Sequence, residues 1–203
     1  MDELNDLEIT DALFDEYFEE MEISEKEKED RADFSKKFHK MMLFIFSVIV
    51  VMKSYNYLRK RYIADRLSEE YRNILSQYID IDDYLDNYIN EFSDNTIDTT
   101  FKNIDDEFFL SEDRAFLISV NEANTGFNYN QFAEAVKSGK ARKQWITEKD
   151  RRVRRTHREL DDKSIPILAL FKVGKTQMRF PHDTLYGLDY AELSNCRCSI
   201  KYY

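Results

Sequence analysis

The sequence predicts an α+β fold, with a long helical N-terminal region followed by a small C-terminal module of short antiparallel strands and helices. Only 4 Gly and 2 Pro occur in 203 residues, which disfavours a loop-rich β-sandwich and suits a mostly helical chain. Apolar residues recur at helical spacing over most of the first hundred residues. After Gly139 the composition changes, and short apolar segments bounded by turn residues follow.

Charge and cysteine usage narrow the class of protein. The net charge is −10 and 34% of the residues are charged, which excludes binding of nucleic acid through overall charge. An aromatic content of 14% argues against a disordered chain. Both cysteines lie in Cys196-Arg197-Cys198, which cannot supply a disulfide framework. The acidic start of the chain is the opposite of a signal peptide. We expect one or two domains from the length.

Residues 1–35 are strongly acidic, because fifteen acidic residues oppose three basic ones, a balance of −12. Apolar residues recur among them at spacings of three and four, which places an apolar stripe on one face of a helix. The stripe consists of Leu4, Leu7, Leu13, Phe14, Tyr17, Phe18 and Met21. The segment is therefore either a solvated acidic helix or tail, or an amphipathic docking segment that lays the stripe in a partner's groove.

Residues 36–110 form the second predicted region, which is helical. The apolar run at residues 41–52 is shorter than the roughly 20 residues that a membrane-spanning helix needs. We therefore expect a buried helix or a helix at an oligomer interface, and no membrane. We expect a helix start or a bend at residues 80–86, and a break at residues 94–95 before a polar segment. The helical spacing between these points runs through Tyr55, Leu58, Tyr62, Leu67, Tyr71, Ile74, Leu75 and Tyr78.

Residues 111–203 form the third predicted region, in which helices and strands mix. Ser111 is a good N-cap, and the acidic residues after it complement the positive first turn of a helix. This helix is expected to break at residues 125–126 and to stop at Gly139. The further predicted elements are a strand at 143–146, a short helix at 151–160, a turn at 161–163, a buried strand at 165–171, a strand at 177–180 and a last strand at 198–202.

A set of polar and aromatic residues follows a specific order through this third region. Its members are Arg114, Glu122, Asn124, Lys143, Trp145, Asp150, Arg152, Arg154, His157, Leu160, Asp161, Phe171, Pro181, Asp183, Glu192, Asn195, Cys196, Arg197 and Cys198. In order and spacing they resemble the C-terminal domain of the phage-Mu-type minor head protein family, the head-morphogenesis proteins of tailed phages. Asp162 stands where that family usually has glycine, so either the turn does not need a positive φ or an aspartate adopts that conformation.

The resemblance implies a function, a location and a set of partners. The function is that of a low-copy structural protein of the phage head, without catalysis, which acts in head assembly or in genome packaging and delivery. The partners are the portal protein, the major capsid or scaffolding protein, and packaged DNA bound without sequence preference. The location is the inside of the virion head, and the host cytoplasm during assembly.

The chemistry of three of these residues suggests a zinc site. His157, Cys196 and Cys198 are ligands of the kind that zinc prefers, and His182 or Asp161 would be the fourth. The Cys-x-Cys spacing is tighter than the Cys-x-x-Cys of zinc knuckles, so the spacing alone does not specify zinc. This interpretation makes the chain a zinc-binding, DNA-contacting module or a small hydrolase, which is the alternative function. The favoured expectation includes no cofactor.

A polar network that ties the predicted sheet to its helices is the second interpretation, and we favour it over the metal site. Opposite charges in such number are typical of a network that specifies a fold more than it adds net stability. The predicted members are Lys143, Trp145, Asp150, Arg152, Arg154, His157, Asp161, Glu192, Asn195 and Arg197.

Residues 140–158 are basic, with a balance of +7. Some of their arginines are candidate phosphate contacts, in a binding to DNA that depends on salt and ignores sequence. These candidates are Arg151, Arg152, Arg155 and Arg158. The basic residues fit equally well the neutralisation of the acidic residues 1–35, within one chain or between copies. The sequence leaves both roles open.

Overall fold

The structure, a computed structural model, describes residues 9–54, 59–187 and 189–203. Long helices are followed by two small antiparallel sheets and two short helices, which is the α+β fold that the sequence predicts. The helices are α1 (Asp11–Glu19), α2 (Glu25–Ser54), α3 (Lys60–Leu75), α4 (Asp83–Lys102), α5 (Glu112–Lys137), α6 (Arg155–Arg158) and α7 (Tyr190–Leu193), with a 3₁₀ turn at Glu107–Leu110. The strands are β1 (Arg142–Ile146), β2 (Ser164–Pro166), β3 (Phe171–Val173), β4 (Thr176–Met178) and β5 (Ser199–Tyr202).

Helices α1 to α5 pack around one hydrophobic core, which we call the helical core. Helix α2 lies against α5 and α1, and α3 pairs with α4. The middle of this core is aromatic, because the Phe38 ring lies 5.3 Å from the Phe34 ring and 4.6 Å from the Tyr71 ring, between centroids. Aromatic pairs at such distances stabilise a core beyond the area that they bury.

Local capping signals set the helix boundaries. The Asp82 carboxylate accepts a hydrogen bond from Leu85 N at 2.9 Å, which starts α4 inside the predicted segment at residues 80–86. The Ser111 hydroxyl accepts from Arg114 N at 3.1 Å and starts α5, as predicted. Gly139, with a φ of 75°, follows the end of α5 in the left-handed conformation that glycine adopts at little cost. These predictions are confirmed.

Two predicted helix breaks are wrong. Residues 94–95 lie inside α4, and residues 125–126 lie inside α5. Gly126 packs closely there, because a Cβ atom at this position would lie 3.1 Å from Leu75 Cδ1. A glycine in a helical pattern therefore marks the close approach of α5 to α3, and the cost of its backbone freedom is offset by that contact.

The apolar stripe of residues 1–35 packs inside its own chain. Phe14 and Phe18 on α1, and Met21 after it, are buried in the helical core. These side chains are therefore not free to occupy a partner's groove in this structure. Leu4 and Leu7, and also Tyr55 and Leu58 of the second region, lie outside the described residues.

The apolar run at residues 41–52 forms part of α2 and is buried on one face only. Met42, Ile45 and Ile49 are buried, whereas Phe44 is 57% exposed and Val51 is 55% exposed. This agrees with a helix that packs on the core and keeps a second apolar face outside. Among the residues that the structure describes, none of the helices has both the length and the apolar character that a membrane crossing requires.

The strands form a three-stranded antiparallel sheet in the order β2-β1-β5 and a separate β3–β4 hairpin. Trp145 on the central strand β1 pairs with Ile200 on β5, and Lys143 pairs with Ile165 on β2. The predicted strands at residues 143–146 and 198–202 are thereby confirmed. The β1 side chains alternate in burial, and this alternation directs Trp145 into the interior.

Two predicted elements of the third region are shorter than expected. The buried strand at residues 165–171 does not form, because β2 ends at Pro166, Leu168 is 71% exposed, and β3 begins only at Phe171. Proline lacks the N–H that would continue the ladder. The helix predicted at residues 151–160 is reduced to α6. The Asp150 carboxylate accepts hydrogen bonds from the backbone N–H groups of Arg152 and Val153, and these bonds hold residues 150–153 in a turn instead of a helix.

Candidate metal centre

A second, smaller core lies between the three-stranded sheet, the hairpin and α6, and we call it the small core. Its members are Trp145, Leu160, Phe171, Val173, Met178, Leu193, Cys196 and Cys198. Trp145 is fully buried, and its ring meets the edge of the His157 ring at 5.5 Å and that of Phe171 at 5.1 Å between centroids. The strand alternation that buries Trp145 therefore also positions His157.

The structure brings His157, Cys196 and Cys198 together within the small core. The His157 Nδ1 atom lies 3.4 Å from Cys196 Sγ and 3.4 Å from Cys198 Sγ. The three ligand atoms all lie within 4.8 Å of one another. The side chains are buried, with exposed fractions of 2%, 2% and 4% for the three residues in that order. This grouping is the ligand set that the zinc interpretation requires.

Glu192 approaches His157 from the other side of the ring. Its Oε2 atom lies 3.1 Å from His157 Nε2 and accepts a hydrogen bond of 2.7 Å from the Thr156 hydroxyl. Gly174 on the hairpin turn has a φ of 57°, and a Cβ atom there would overlap Glu192 Oε1. The hairpin backbone therefore fixes the carboxylate behind the imidazole ring.

The three side chains shift each other's proton affinities. Hydrogen bonding to Cys198 and to His157 lowers the pKa of the Cys196 thiol well below its usual range, although burial opposes this. Hydrogen bonding to Cys196 and burial together raise the pKa of Cys198. Burial alone would lower the pKa of His157, but Cys196 and Glu192 raise it above its usual value. Cys196 is thus the thiol that most readily becomes the thiolate that metals bind.

Neither suggested fourth ligand joins the three-residue group. His182 is buried, but its Nε2 atom donates to the Cys196 carbonyl oxygen at 2.8 Å. The Asp161 carboxylate accepts from Thr147 N at 2.9 Å. Both residues therefore hold backbone in place, and the prediction of either as a ligand does not agree with this geometry.

A cluster of acidic and basic residues beside the small core joins the two ends of the chain, and we call it the clasp. Arg197 donates to Asp150 at 2.6 Å and also to Glu20, and Arg152 contacts the same two carboxylates. The hydrogen bond from Arg197 lowers the pKa of Asp150 to about 2. The clasp supports the network interpretation for these three residues of the third region. It also shows that the basic residues neutralise part of the acidic segment within one chain.

Other predicted network members have different roles. Lys143 is fully buried with its Nζ atom 5.1 Å from the Phe132 ring centroid, and it makes no hydrogen bond within the described residues. Burial lowers its pKa to about 8. Asn195 is exposed and has a φ of 56°, so it serves the turn before Cys196. Arg154 donates to the Ser194 carbonyl oxygen.

The candidate phosphate contacts all have exposed side chains, but several of them pair within the chain. Arg155 donates to Glu159 at 2.9 Å, and Arg158 donates to the Val153 carbonyl oxygen at 2.9 Å. Arg152 belongs to the clasp. Arg151 is exposed in the turn before α6. Exposed arginines of this kind can contact phosphates without any change in the fold.

Helix α5 links the helical core to the small core through Asn124. Its Nδ2 atom donates to the Cys196 carbonyl oxygen at 3.4 Å, and its Oδ1 atom accepts from Arg31 at 2.5 Å. Arg31 is fully buried and also pairs with Glu27 at 2.5 Å. No sequence signal except the (i, i+4) spacing from Glu27 singles out Arg31, because its other partners are far away along the chain.

Arg114 and Glu122 also belong to the set of residues that carries the family resemblance. Both make contacts in the helical core. Arg114 donates to Thr100 Oγ1 at 2.8 Å, and Glu122 accepts from the hydroxyls of Tyr71 and Tyr88 at 2.9 Å. Burial raises the pKa of Glu122 to about 7, although both tyrosine hydrogen bonds oppose the shift. These contacts hold α5 against α3 and α4.

Comparison with family models, with curated proteins and with solved structures finds no match to this chain.

Proposed function

We propose that this chain is a structural protein of a tailed-phage head, which binds the portal on the inside of the head. It acts there in head assembly or in genome packaging and delivery, without catalysing a reaction. The observation that carries this proposal is the order and spacing of the residues from Arg114 to Cys198, which resemble those of the phage-Mu-type minor head proteins.

The contacts of these residues support a structural role. Asn124 joins α5 to the segment before β5, and the clasp joins Arg197 to Glu20, 177 positions away. The cavity beside His157 has a volume of about 10 Å³, which is close to that of one water molecule. Residues whose polar atoms make internal contacts of this kind hold a fold together.

The outer face of α2 supports an assembly partner. Phe44 and Val51 are exposed apolar residues seven positions apart, so they lie on the same side of the helix. Exposed apolar patches of this kind are typical of protein–protein contacts. We assign this face to the portal protein. Packaged DNA is the second proposed partner, through Arg151 and Arg155, and that contact would weaken as salt increases.

Co-expression with the portal protein of the same phage, followed by native mass spectrometry, tests the proposal. We expect a portal complex with a defined number of bound copies. The variant Phe44→Asp should lose the complex, because a carboxylate replaces the apolar contact. Tyr62→Asp is the matched control, since Tyr62 is a 60% exposed aromatic residue on α3. A free chain at every portal concentration would refute the proposal.

A further inference from the structure

The nitrogen-to-sulfur distances in the small core match those of a zinc site. Zinc binds cysteine sulfur at about 2.3 Å and histidine nitrogen at about 2.0 Å, so tetrahedral geometry separates a nitrogen from a sulfur ligand by about 3.5 Å. His157 Nδ1 lies 3.4 Å from each of the two cysteine sulfurs. The sulfurs of Cys196 and Cys198 therefore lie as far from the imidazole nitrogen as two ligands of one zinc ion would.

Hydrogen bonds join Cys196 to both Cys198 and His157, and a shared cation would join the same three side chains. A ring nitrogen carries either one hydrogen or one lone pair, so Nδ1 can make only one well-directed hydrogen bond. Here one nitrogen faces two sulfurs at the same distance. A cation between the three atoms would satisfy all of them at once. Thiolate and imidazole ligands together favour zinc over magnesium or calcium.

The surroundings of His157 orient it as metal sites require. A metal-binding histidine usually donates its second ring N–H to a carboxylate, which fixes the tautomer and the ring plane. Glu192 Oε2 lies 3.1 Å from His157 Nε2, and Thr156 and the Gly174 turn fix that carboxylate. This contact is at ion-pair distance and is not an aligned hydrogen bond, because Nε2 has no hydrogen-bond partner among the described residues.

A small cavity lies next to the three side chains, which line it in part. Glu148, Arg152 and Asn195 are among the residues that line it. Its volume of about 10 Å³ is close to the minimum that one water molecule needs. The cavity thus provides for a water ligand, and the clasp covers it from outside.

We propose that this chain binds one Zn²⁺ ion through His157 Nδ1, Cys196 Sγ and Cys198 Sγ, with one water as the fourth ligand and Glu192 as the positioning residue. The ion joins α6 to the segment before β5 and closes the small core. The proposal goes beyond the function in the phage head and does not depend on it. A chain that binds zinc but no portal, or the reverse, would separate the two.

The untagged full chain is the material for the test, so that no tag adds histidine ligands. Native mass spectrometry and elemental analysis should find one zinc per chain after addition of ZnCl₂ and dialysis. Substitution by Co²⁺ should give the thiolate charge-transfer and d–d absorption of a tetrahedral site. A wild-type chain that is folded by circular dichroism and takes up neither metal would overturn the proposal.

Variants separate ligation from folding. Cys196→Ser and Cys198→Ser should abolish stoichiometric zinc, and His39→Gln should retain it, because His39 is a buried histidine in the helical core near Phe14. Glu192→Gln should bind zinc about 10- to 100-fold more weakly. A metal chelator should lower the melting temperature of the wild type and leave that of Cys196→Ser unchanged. Equal chelator shifts in both proteins, or zinc retained by both cysteine variants, would contradict the site.

Discussion

The helical core and the small core are built in different ways, although Asn124 on α5 links them. Phe34, Phe38 and Tyr71 fill the middle of the helical core with stacked and edge-on rings from two helices. The small core instead encloses two thiols and is bordered by a buried imidazole and a buried carboxylate. One region is therefore stabilised chiefly by apolar burial, and the other needs specific polar or metal contacts as well.

The two cores are nevertheless not independent. Ile167 and Phe180 come from the C-terminal module but pack in the helical core. Asn124 crosses in the other direction and contacts the Cys196 carbonyl oxygen. Polar and apolar contacts of this kind join the C-terminal module to the helices.

The largest effect is expected from Phe38→Ala, which opens a cavity in the helical core. Phe38 is fully buried between aromatic rings, so the variant should lose about 3–5 kcal/mol of unfolding free energy. Circular dichroism follows the helices, and fluorescence of Trp145, the single tryptophan, follows the small core. Both should shift together in urea. A fluorescence transition that stays at the wild-type midpoint would show that the cores unfold separately. Phe44→Ala, at an exposed site, is the control.

Arg31→Met should lower the free energy of unfolding by about 3–4 kcal/mol, because it removes the buried guanidinium that pairs with its partners and leaves their polar atoms unpaired. Arg31 is fully buried against Glu27, Asn124 and Asn128. Lys36→Met is the matched control, since Lys36 pairs with the exposed Asp15 and should cost less than about 1 kcal/mol. Thermal and urea unfolding measure both. Equal losses in the two variants would show that burial of the charge is unimportant.

The titration of Glu122 should contribute to the pH dependence of the free energy of unfolding. Burial raises its pKa from 4.5 to about 7, so between these values the folded state keeps a proton that the unfolded state releases. The unfolding free energy therefore falls as pH rises through this window, by about 3 kcal/mol at most, and this contribution is constant above it. Glu122→Gln should remove the slope. Urea titrations of both proteins at several pH values give the difference, and parallel curves would contradict the assignment.

The smallest losses of stability are expected from alanine substitutions at two glycines with positive φ. Gly174→Ala should cost about 2 kcal/mol, because the strained backbone is joined by an overlap with Glu192. Gly139→Ala should cost about 1 kcal/mol, since no atom lies within 4 Å of its added Cβ. Thermal melts measure the difference. If Gly139→Ala costs as much as Gly174→Ala, the fixed position of the carboxylate is not the cause.

Local signals in the sequence predicted much of the fold. Ser111 caps α5, Gly139 follows its end, and the alternating residues around Trp145 form β1. Each of these depends on residues within a few positions. Gly126 misled the prediction because its role is to admit Leu75 from another helix, which no local pattern contains.

The candidate site was predictable in its residue types and not in its geometry. His157, Cys196 and Cys198 were identified from their chemistry, and the structure groups them. The tertiary partners could not be predicted, because Glu20 reaches Arg197, and Arg31 reaches Asn124 on α5, only through tertiary packing. His182 and Asp161 have suitable side chains, but each is engaged by a backbone group. Residue type alone does not identify a ligand.

The clasp has a consequence for the kinetics of folding. Helices α3 and α4 pair between neighbours in sequence, whereas the contact of Glu20 with Arg197 spans 177 positions. Long loops cost more entropy to close and slow the contacts that depend on them. We therefore expect the helices to assemble first and the clasp to close last. Before the small core forms, Cys196 and Cys198 are not buried, so we expect the folding chain to pass through a period in which its thiols are open to oxidation.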